Sequence, residues 1–217
     1  ATHIAKCAGV SDRKFEDIES DIKSLNAKSF PVLDDARGEE MAQRILKARE
    51  EADSVGGVTE TVICGTPAGV GEPWFDSVES VISHAAFSLG GVKGIEFGAG
   101  FAVADMKGSE CNDPLRVSGG RIVTTTNNNG GINGGITNGM PIVFRCAVKP
   151  TPSIAQQQDT VDFIKNENTQ LSIHGRHDPA IIRRICPVLD SVAALCVADM
   201  LSLRYGTDVL TKGVDDK

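Results

Sequence analysis

Three stretches of this chain gather residue types that can do chemistry. The first is HGRHDP, residues 174–179, in which Arg176 and Asp178 stand one residue apart and His174 and His177 flank the arginine. A guanidinium, a carboxylate and backbone N–H groups at a helix start can hold an anion or relay a proton. The same Asp178, followed by Pro179, also has the order of an N-cap and a first helical residue, which serves structure alone. The second stretch is KPTPS, residues 149–153. Lys149 ends a strand pattern and Pro150 and Pro152 stiffen the backbone beyond it, so a cation is presented rigidly, as suits a phosphate. Ser153 with Gln156 three residues on has the spacing of a capping box as well.

The third stretch is NNNGGINGGITNG, residues 127–139, which holds five Asn and five Gly and no charged group. Glycine permits positive φ and close approach to a backbone, and Asn offers amide donors. Such a segment either faces a phosphate or heterocycle edge or forms a flexible surface hairpin. No GK[ST] comes after it, which excludes a Walker loop. Cys64, ahead of GTPAG, has no nearby His or basic surround and reads as a buried small residue. His3 and His84 are isolated and no second ligand cluster accompanies His174 and His177, so no metal site is expected. Together these residues predict an anion site built from Lys149, Arg176 and the Asn/Gly backbone, with Asp178 as candidate proton acceptor.

The elements that must position these groups can be read from periodicity. Ser11 is placed to cap a helix marked by Phe15, Ile18, Ile22 and Leu25. A second helix is expected from about Gly38 to the glycine stop at Gly56-Gly57. Val58, Glu60, Val62 and Cys64 alternate with Thr59, Thr61 and Ile63, the pattern of a strand. Asp76 with Glu79 resembles a capping box opening the helix SVESVISHAAFSL. VKGIEFGAGF and RIVTTT read as strands, with MKGSECNDPLRVSGG between them as a mobile loop. PIVFRCAVKP is a strand bounded by prolines, in which Arg145 and Lys149 share a face with Val143 and Ala147. The tail from Asp178 to about Tyr205 is helical, kinked or divided at Pro187. Strands and helices come in pairs rather than strict alternation, which predicts an α+β fold of antiparallel sheet and packed helices in a single domain, residues 1–217.

Bulk properties narrow the function. A formal net charge of −7 gives no footprint for nucleic acid or an anionic membrane. No signal peptide and no apolar run of bilayer length is read, so membrane association is not expected. The six cysteines lack any CxxC pair and read as reduced thiols, mostly buried. The chain starts with Ala1 ahead of a strand-like THIAK, which reads as a piece beginning mid-fold.

The order of motifs adds a resemblance. GTPAGVGEPWFD, LGGVKGIEFGAGF, TNNNGGINGGITNGMPIVFR, VKPTPSI and GRHDP ahead of a helix succeed one another as in the chorismate synthase family, over about residues 56–203, with a looser match before that. The resemblance implies a β-α-β sandwich with helices between antiparallel sheets, here the C-terminal part, and a homotetramer in the complete enzyme. It implies conversion of 5-enolpyruvylshikimate 3-phosphate to chorismate by 1,4-anti elimination of phosphate. It further implies reduced FMN as cofactor, NADPH as the source of its reduction, a small phosphate-bearing substrate, and a cytoplasmic location, or a plastid one if a leader was removed. By the same analogy Lys149, Pro150, Thr151, Pro152 and Ser153 line the flavin phosphate and ribityl region. Arg176 binds flavin and substrate charge, and Gly134 touches flavin by main chain. Asp178 helps pass the substrate hydrogen toward the flavin. Gly90 and Gly91 stand where the family commonly has Asn-Ala or Pro-Ala, so they offer backbone contacts only. The family's two acid histidines, its substrate-binding arginines and its Gly-Arg-Ser-Ser motif are not in this sequence. The chain is therefore expected to be an enzyme fragment with little activity alone. The alternative is a non-catalytic FMN- or phosphate-binding module.

Overall fold

Period-two alternation organises the centre of the molecule. In the computed structural model, which describes residues 1–213, the elements run in chain order as β1 (Thr2–Cys7), β2 (Val10–Ser11), α1 (Ile18–Leu25), α2 (Asp35–Glu50), β3 (Gly57–Ile63), α3 (Val78–Phe87), β4 (Val92–Phe97), α4 (Gly108–Cys111), β5 (Leu115–Ser118), β6 (Arg121–Thr124), β7 (Ile132–Asn133), β8 (Ile136–Thr137), β9 (Ile142–Val148), β10 (Gln158–Asp162), β11 (Glu167–Leu171), α5 (Ile182–Tyr205) and α6 (Val209–Lys212). Five strands form one antiparallel sheet in the order β2-β1-β3-β9-β4, and three two-stranded hairpins stand apart from it. This is the α+β arrangement expected. In β9, Ile142, Phe144, Cys146 and Val148 are buried, whereas Val143, Arg145 and Ala147 are at least partly open. The buried set joins Ile4 and Cys7 of β1, Val78, Ile82 and Ala86 of α3, and Ile182, Ile185 and Leu189 of α5 in one apolar cluster. Helices therefore cover one face of the sheet. Burial pushes the Cys146 and Cys186 thiols up to about 12, which makes them inert core residues.

The opposite face carries a row of ionisable side chains in cross-strand register. His3 lies beside Glu60, Glu60 beside Arg145, and Arg145 beside Glu96, across β1, β3, β9 and β4. His3 Nδ1 meets Asp12 Oδ2 at 2.8 Å, and its Nε2 meets Glu60 Oε2 at 3.2 Å. Arg145 Nε donates to Glu96 Oε1 at 2.7 Å and its Nη1 approaches Glu60 Oε1 at 3.4 Å. Asp12 also accepts from the Leu33 and Asp34 amides, fastening the residue 30–34 segment to the sheet. Burial alone would lower the His3 pKa, but hydrogen bonds and charge from Asp12 and Glu60 outweigh it and hold His3 above its ordinary value.

Local signals are displaced in several places. Ser11 lies in β2, and Asp17 caps α1 by accepting from the Ser20 amide at 3.3 Å. Phe15 precedes the helix and stands edge-on against His3. Asp34 caps α2 by accepting from the Ala36 and Arg37 amides, and the helix ends at Glu50, so Gly56 is left to the turn and Gly57 opens β3. Ser77, not Asp76, caps α3. The stretch expected as a mobile loop contains α4 and β5, and β5 pairs with β6 in the RIVTTT segment expected as a strand. No helix opens at Ser153; the chain passes into β10. Cys64 is exposed, not buried.

The C-terminal helix differs most. It begins at Ile182 rather than Asp178, and it runs unbroken through Pro187 to Tyr205. Counted without a break it is long and apolar enough by composition to cross a membrane, a run that the Pro187 signal conceals in the sequence. Its Leu189, Ala193, Cys196 and Met200 are buried in the core, and Thr2 Oγ1 donates to Asp190 at 2.6 Å. It is thus the core helix of this layer. Val188, Leu195 and Leu203 on it stay exposed.

Candidate functional site

The chain changes direction three times at one end of the sheet, where α2 ends, β9 ends and α5 begins. These turns enclose a cleft of about 230 Å³ whose lining includes Arg49, Ser54, Ser153, Arg176, His177 and Asp178. A neighbouring recess of about 390 Å³ shares Arg49, Arg176, His177 and Asp178 and adds Arg184. Short hydrogen bonds set the walls. Ser54 Oγ donates to the Thr151 carbonyl at 2.6 Å, and Thr151 Oγ1 donates to the Asp178 carbonyl at 2.8 Å. The Val55 amide donates to the Pro179 carbonyl at 2.8 Å. The turn after α2 therefore fastens both the KPTPS segment and the HDP corner. His177 Nε2 lies 3.1 Å from the Ile173 carbonyl, which turns its ring toward its own loop.

Asp178 combines its two expected roles in part. Its Oδ1 accepts from the Ala180 amide at 3.2 Å, closing a turn just ahead of α5, and its Oδ2 pairs with Arg184 Nε at 3.1 Å. Arg176 is exposed and makes no ion pair among the described residues. The three guanidiniums of Arg49, Arg176 and Arg184 face two carboxylates, Asp53 and Asp178, on a chain with formal charge −7. A locally positive cleft with rigid walls can hold a phosphate group.

Of the residues read from sequence, Ser153, Arg176 and Asp178 line this cleft and Thr151 forms its wall. Lys149 donates its amide to the Gly91 carbonyl at 2.9 Å, so Gly90 and Gly91 sit at the same end of the sheet. Lys149, Pro150 and Pro152 are exposed beside the cleft without lining it. Gly134 is elsewhere. Its neighbour Gly135 accepts from the Val78 amide at the start of α3, whereas Gly91 comes after the end of that helix. Ten helical residues separate the two by on the order of 15 Å. Sequence reasoning missed Arg49, Ser54 and Arg184. Their only signal was position: Arg49 and Ser54 flank the stop of α2, and Arg184 lies one turn after the HDP corner.

The Asn/Gly stretch has an internal explanation. Asn127 Nδ2 donates to the Pro141 carbonyl, and Asn128 Nδ2 to the Cys111 carbonyl. Asn129 Nδ2 donates to Asp113, which also accepts from the Asn128 and Asn129 amides and the Thr126 hydroxyl, at 2.7 to 2.9 Å. The amides expected to face a ligand are thus spent on the loop itself, and only the hairpin tip near Gly134 is left open. Although burial opposes it, these four donors hold the Asp113 carboxyl below its usual range. A lowered folded pKa means this contribution is present above the ordinary carboxylate pKa and fades as pH falls through the folded value. Asp113→Ala should destabilise the protein by about 1–3 kcal/mol, since three backbone or side-chain N–H groups and a hydroxyl lose their acceptor. Hydrogen exchange at the Asn128 and Asn129 amides should quicken before the sheet is affected; unchanged protection there would contradict this role.

Fold and cleft together define a class: an antiparallel α+β protein with an arginine-lined, phosphate-suited cleft at one end of its sheet. A family model described as chorismate synthase matches residues 2–202. A chorismate synthase from Methanosarcina acetivorans is 44% identical over 208 residues, covering 95% of this chain and 56% of that protein. One from Korarchaeum cryptofilum is 49% identical over 166 residues, covering 76% of this chain and 46% of that protein. A crystal structure of chorismate synthase matches with a TM-score of 0.78 at 26% identity, over 96% of this chain and 58% of that one. This chain belongs to the chorismate synthase family. The match reaches Thr2, so the N-terminal stretch with only a loose motif resemblance is family sequence too. The chain spans about half the length of the curated relatives it matches.

Proposed function

We propose that this chain supplies the flavin- and phosphate-facing part of a chorismate synthase site. The activity of the complete enzyme is the 1,4-anti elimination of phosphate from 5-enolpyruvylshikimate 3-phosphate to give chorismate, with reduced FMN, with NADPH as the source of its reduction, and in a cytoplasmic homotetramer. The observation that carries the reading is the convergence of Ser153, Arg176 and Asp178 on one rigid cleft in a member of this family. The donor set fits a phosphate-bearing cofactor: guanidiniums with no ion pair among the described residues, the Ser153 hydroxyl and the apolar side chains of Ile154 and Ala155 share the cleft.

Each residue then has a physical task. Arg176 offers a forked donor to a phosphate or carboxylate, and a rigid fork loses little entropy on binding. Asp178, anchored by Arg184 and the Ala180 amide, presents a fixed carboxylate to hold a proton leaving the substrate ring. Thr151 and Ser54 keep Asp178 and Ser153 in register. Lys149 adds a cation at the cleft's edge, and Pro150 and Pro152 limit its backbone freedom. Gly90 and Gly91 contribute main chain beside Lys149. Gly134 shares the same ligand only if that ligand extends along the α3 side of the sheet. Reduced FMN, when bound, supplies a hydrogen-accepting surface with no net redox change. Turnover is assigned to the complete enzyme, in which the family's acid histidines and remaining substrate arginines act with these residues.

Titration with FMN tests this. The chain alone should bind FMN weakly, and addition of a separately made N-terminal half of a relative, with reduced FMN and substrate, should restore turnover. Arg176→Ala should weaken FMN by about tenfold or more, as for a charge-assisted hydrogen bond. Tight FMN binding by the chain alone, without turnover on mixing, would favour the non-catalytic module instead.

A further inference from the structure

α2 carries three arginines, and two of them are accounted for. Arg37 Nη1 and Arg44 Nη2 both pair with Glu40, at 3.2 and 2.9 Å. The third, Arg49 in the last turn, makes no ion pair and no side-chain hydrogen bond among the described residues, and it lines both the cleft and the recess that adjoins it. A cation in a last turn suits the helix dipole, which explains a positive charge at this end but not its aim into a cleft. Lys47 in the same turn reaches Glu51 at 3.9 Å and lines neither cavity. The lip that bears Arg49 is fixed. Gln156 Nε2 donates to the Glu51 carbonyl at 2.7 Å, and Ser54 holds the Thr151 carbonyl, so the end of α2 is fastened to the 151–156 segment.

We propose that Arg49 is a phosphate ligand of this cleft, acting with Arg176 on a phosphate monoester dianion. The proposal rests on the reading of the cleft as the flavin and phosphate site. Arg49 and Arg176 line one cleft and neither has an ion pair among the described residues, so a dianion, which neither arginine neutralises alone, offers both a charge-assisted acceptor, while Asp178 of the same cleft is already paired with Arg184. Because both walls are tied before any ligand arrives, little ordering is required on binding. The dianion is either the terminal phosphate of FMN or the phosphate of the substrate, and the two are separable by ligand.

The test monitors flavin fluorescence on titrating the full chain with FMN and with riboflavin, which lacks the phosphate, and measures binding of 5-enolpyruvylshikimate 3-phosphate separately by calorimetry. Arg49→Gln should weaken FMN by about tenfold and leave riboflavin unchanged, so that the ratio of the two affinities falls; Arg49→Lys should recover part of it. Lys47→Gln, with the same loss of charge on the same turn, should change neither. If the FMN-to-riboflavin ratio is kept but the substrate binds tenfold less tightly, the proposal holds with the substrate phosphate as the anion. If Arg176→Gln weakens these ligands and Arg49→Gln does not, Arg49 is no ligand while the reading of the cleft stands. If neither variant differs from the parent, the reading of the cleft fails and the role of Arg49 fails with it. A merely structural arginine would alter melting temperature without altering the FMN-to-riboflavin ratio.

Discussion

Replacing His3 with leucine should destabilise the fold by on the order of 3–5 kcal/mol, the loss expected when one partner of a buried charged group is removed. His3 is fully buried between Asp12, whose side chain is also fully buried, and Glu60, at 8% exposure. Without the imidazolium both carboxylates lose the buried cation between them, leaving Glu60 to Arg145 and Asp12 holding the Leu33 and Asp34 amides without its buried partner. The pH dependence carries the signature. His3 is raised above its ordinary value of 6.5, so its contribution is fully present below that pH and is lost as pH rises through the folded value. The parent should therefore lose stability on passing from mildly acidic to alkaline buffer. The leucine variant should lack that slope, and its deficit should shrink as the pH approaches about 4, where carboxylates take up protons. Urea melts of both proteins across this range decide it. A variant that kept the parent's slope would remove His3 from the account.

Gly98→Ala should be nearly as damaging, by about 2–5 kcal/mol, and for a different reason. Gly98 has φ of +55°, a left-handed conformation that costs an L-residue about 1–2 kcal/mol. A Cβ there would also collide with the Asn128 carbonyl and come within 2.5 Å of the Gly130 nitrogen, backbone atoms with no rotamer to yield, adding an overpacking term of about 1–3 kcal/mol. The Ala99 amide donates to the same Asn128 carbonyl at 2.8 Å, and the Gly98 amide to Val143 at 2.9 Å, so relief by loop movement breaks pairing on both sides. Thermal melts should show a drop of many degrees. The matched control is Gly134→Ala, whose φ is +60° but whose Cβ meets nothing within 4 Å. It isolates the conformational cost, and an equal loss in the two variants would show that the close approach contributes nothing.

That pair of glycines marks the limit of what could be read from sequence. The strands β3, β4 and β9 were legible because one face meets helices and the other does not, which writes period two into the residues. The Asn/Gly stretch was legible as a place of close backbone approach, but composition could not say to what. Its neighbour is the end of β4, some 30 residues earlier, and its amides are consumed by Asp113. Helix starts were misplaced wherever two capping residues stood close together, as with Asp76 and Ser77, because the choice depends on where the chain enters the helix. The cleft was half legible. Arg176, Asp178 and Ser153 stand in recognisable motifs, whereas Arg49 and Ser54 reach the cleft only because α2 ends beside β9, a juxtaposition about 100 residues apart in the chain. The ionic row across the sheet was invisible for the same reason, since His3, Glu60, Arg145 and Glu96 come from four separate strands.

The strand order β2-β1-β3-β9-β4 also fixes a timetable of assembly. Each residue of β3 pairs with one of β9 that leaves the ribosome about 80 to 90 residues later; Glu60 waits for Arg145. At a synthesis rate of about 5–20 residues per second the delay is about 4–18 seconds, during which β1 and β3 can form a ribbon with a bare edge. That edge carries Val58 and Val62, and β4 can join only after β9 has filled the gap between them. Loop closure of this length before any reward makes the sheet a slow, late-forming unit. The nascent chain is therefore most vulnerable to mispairing between the emergence of β3 and that of β9.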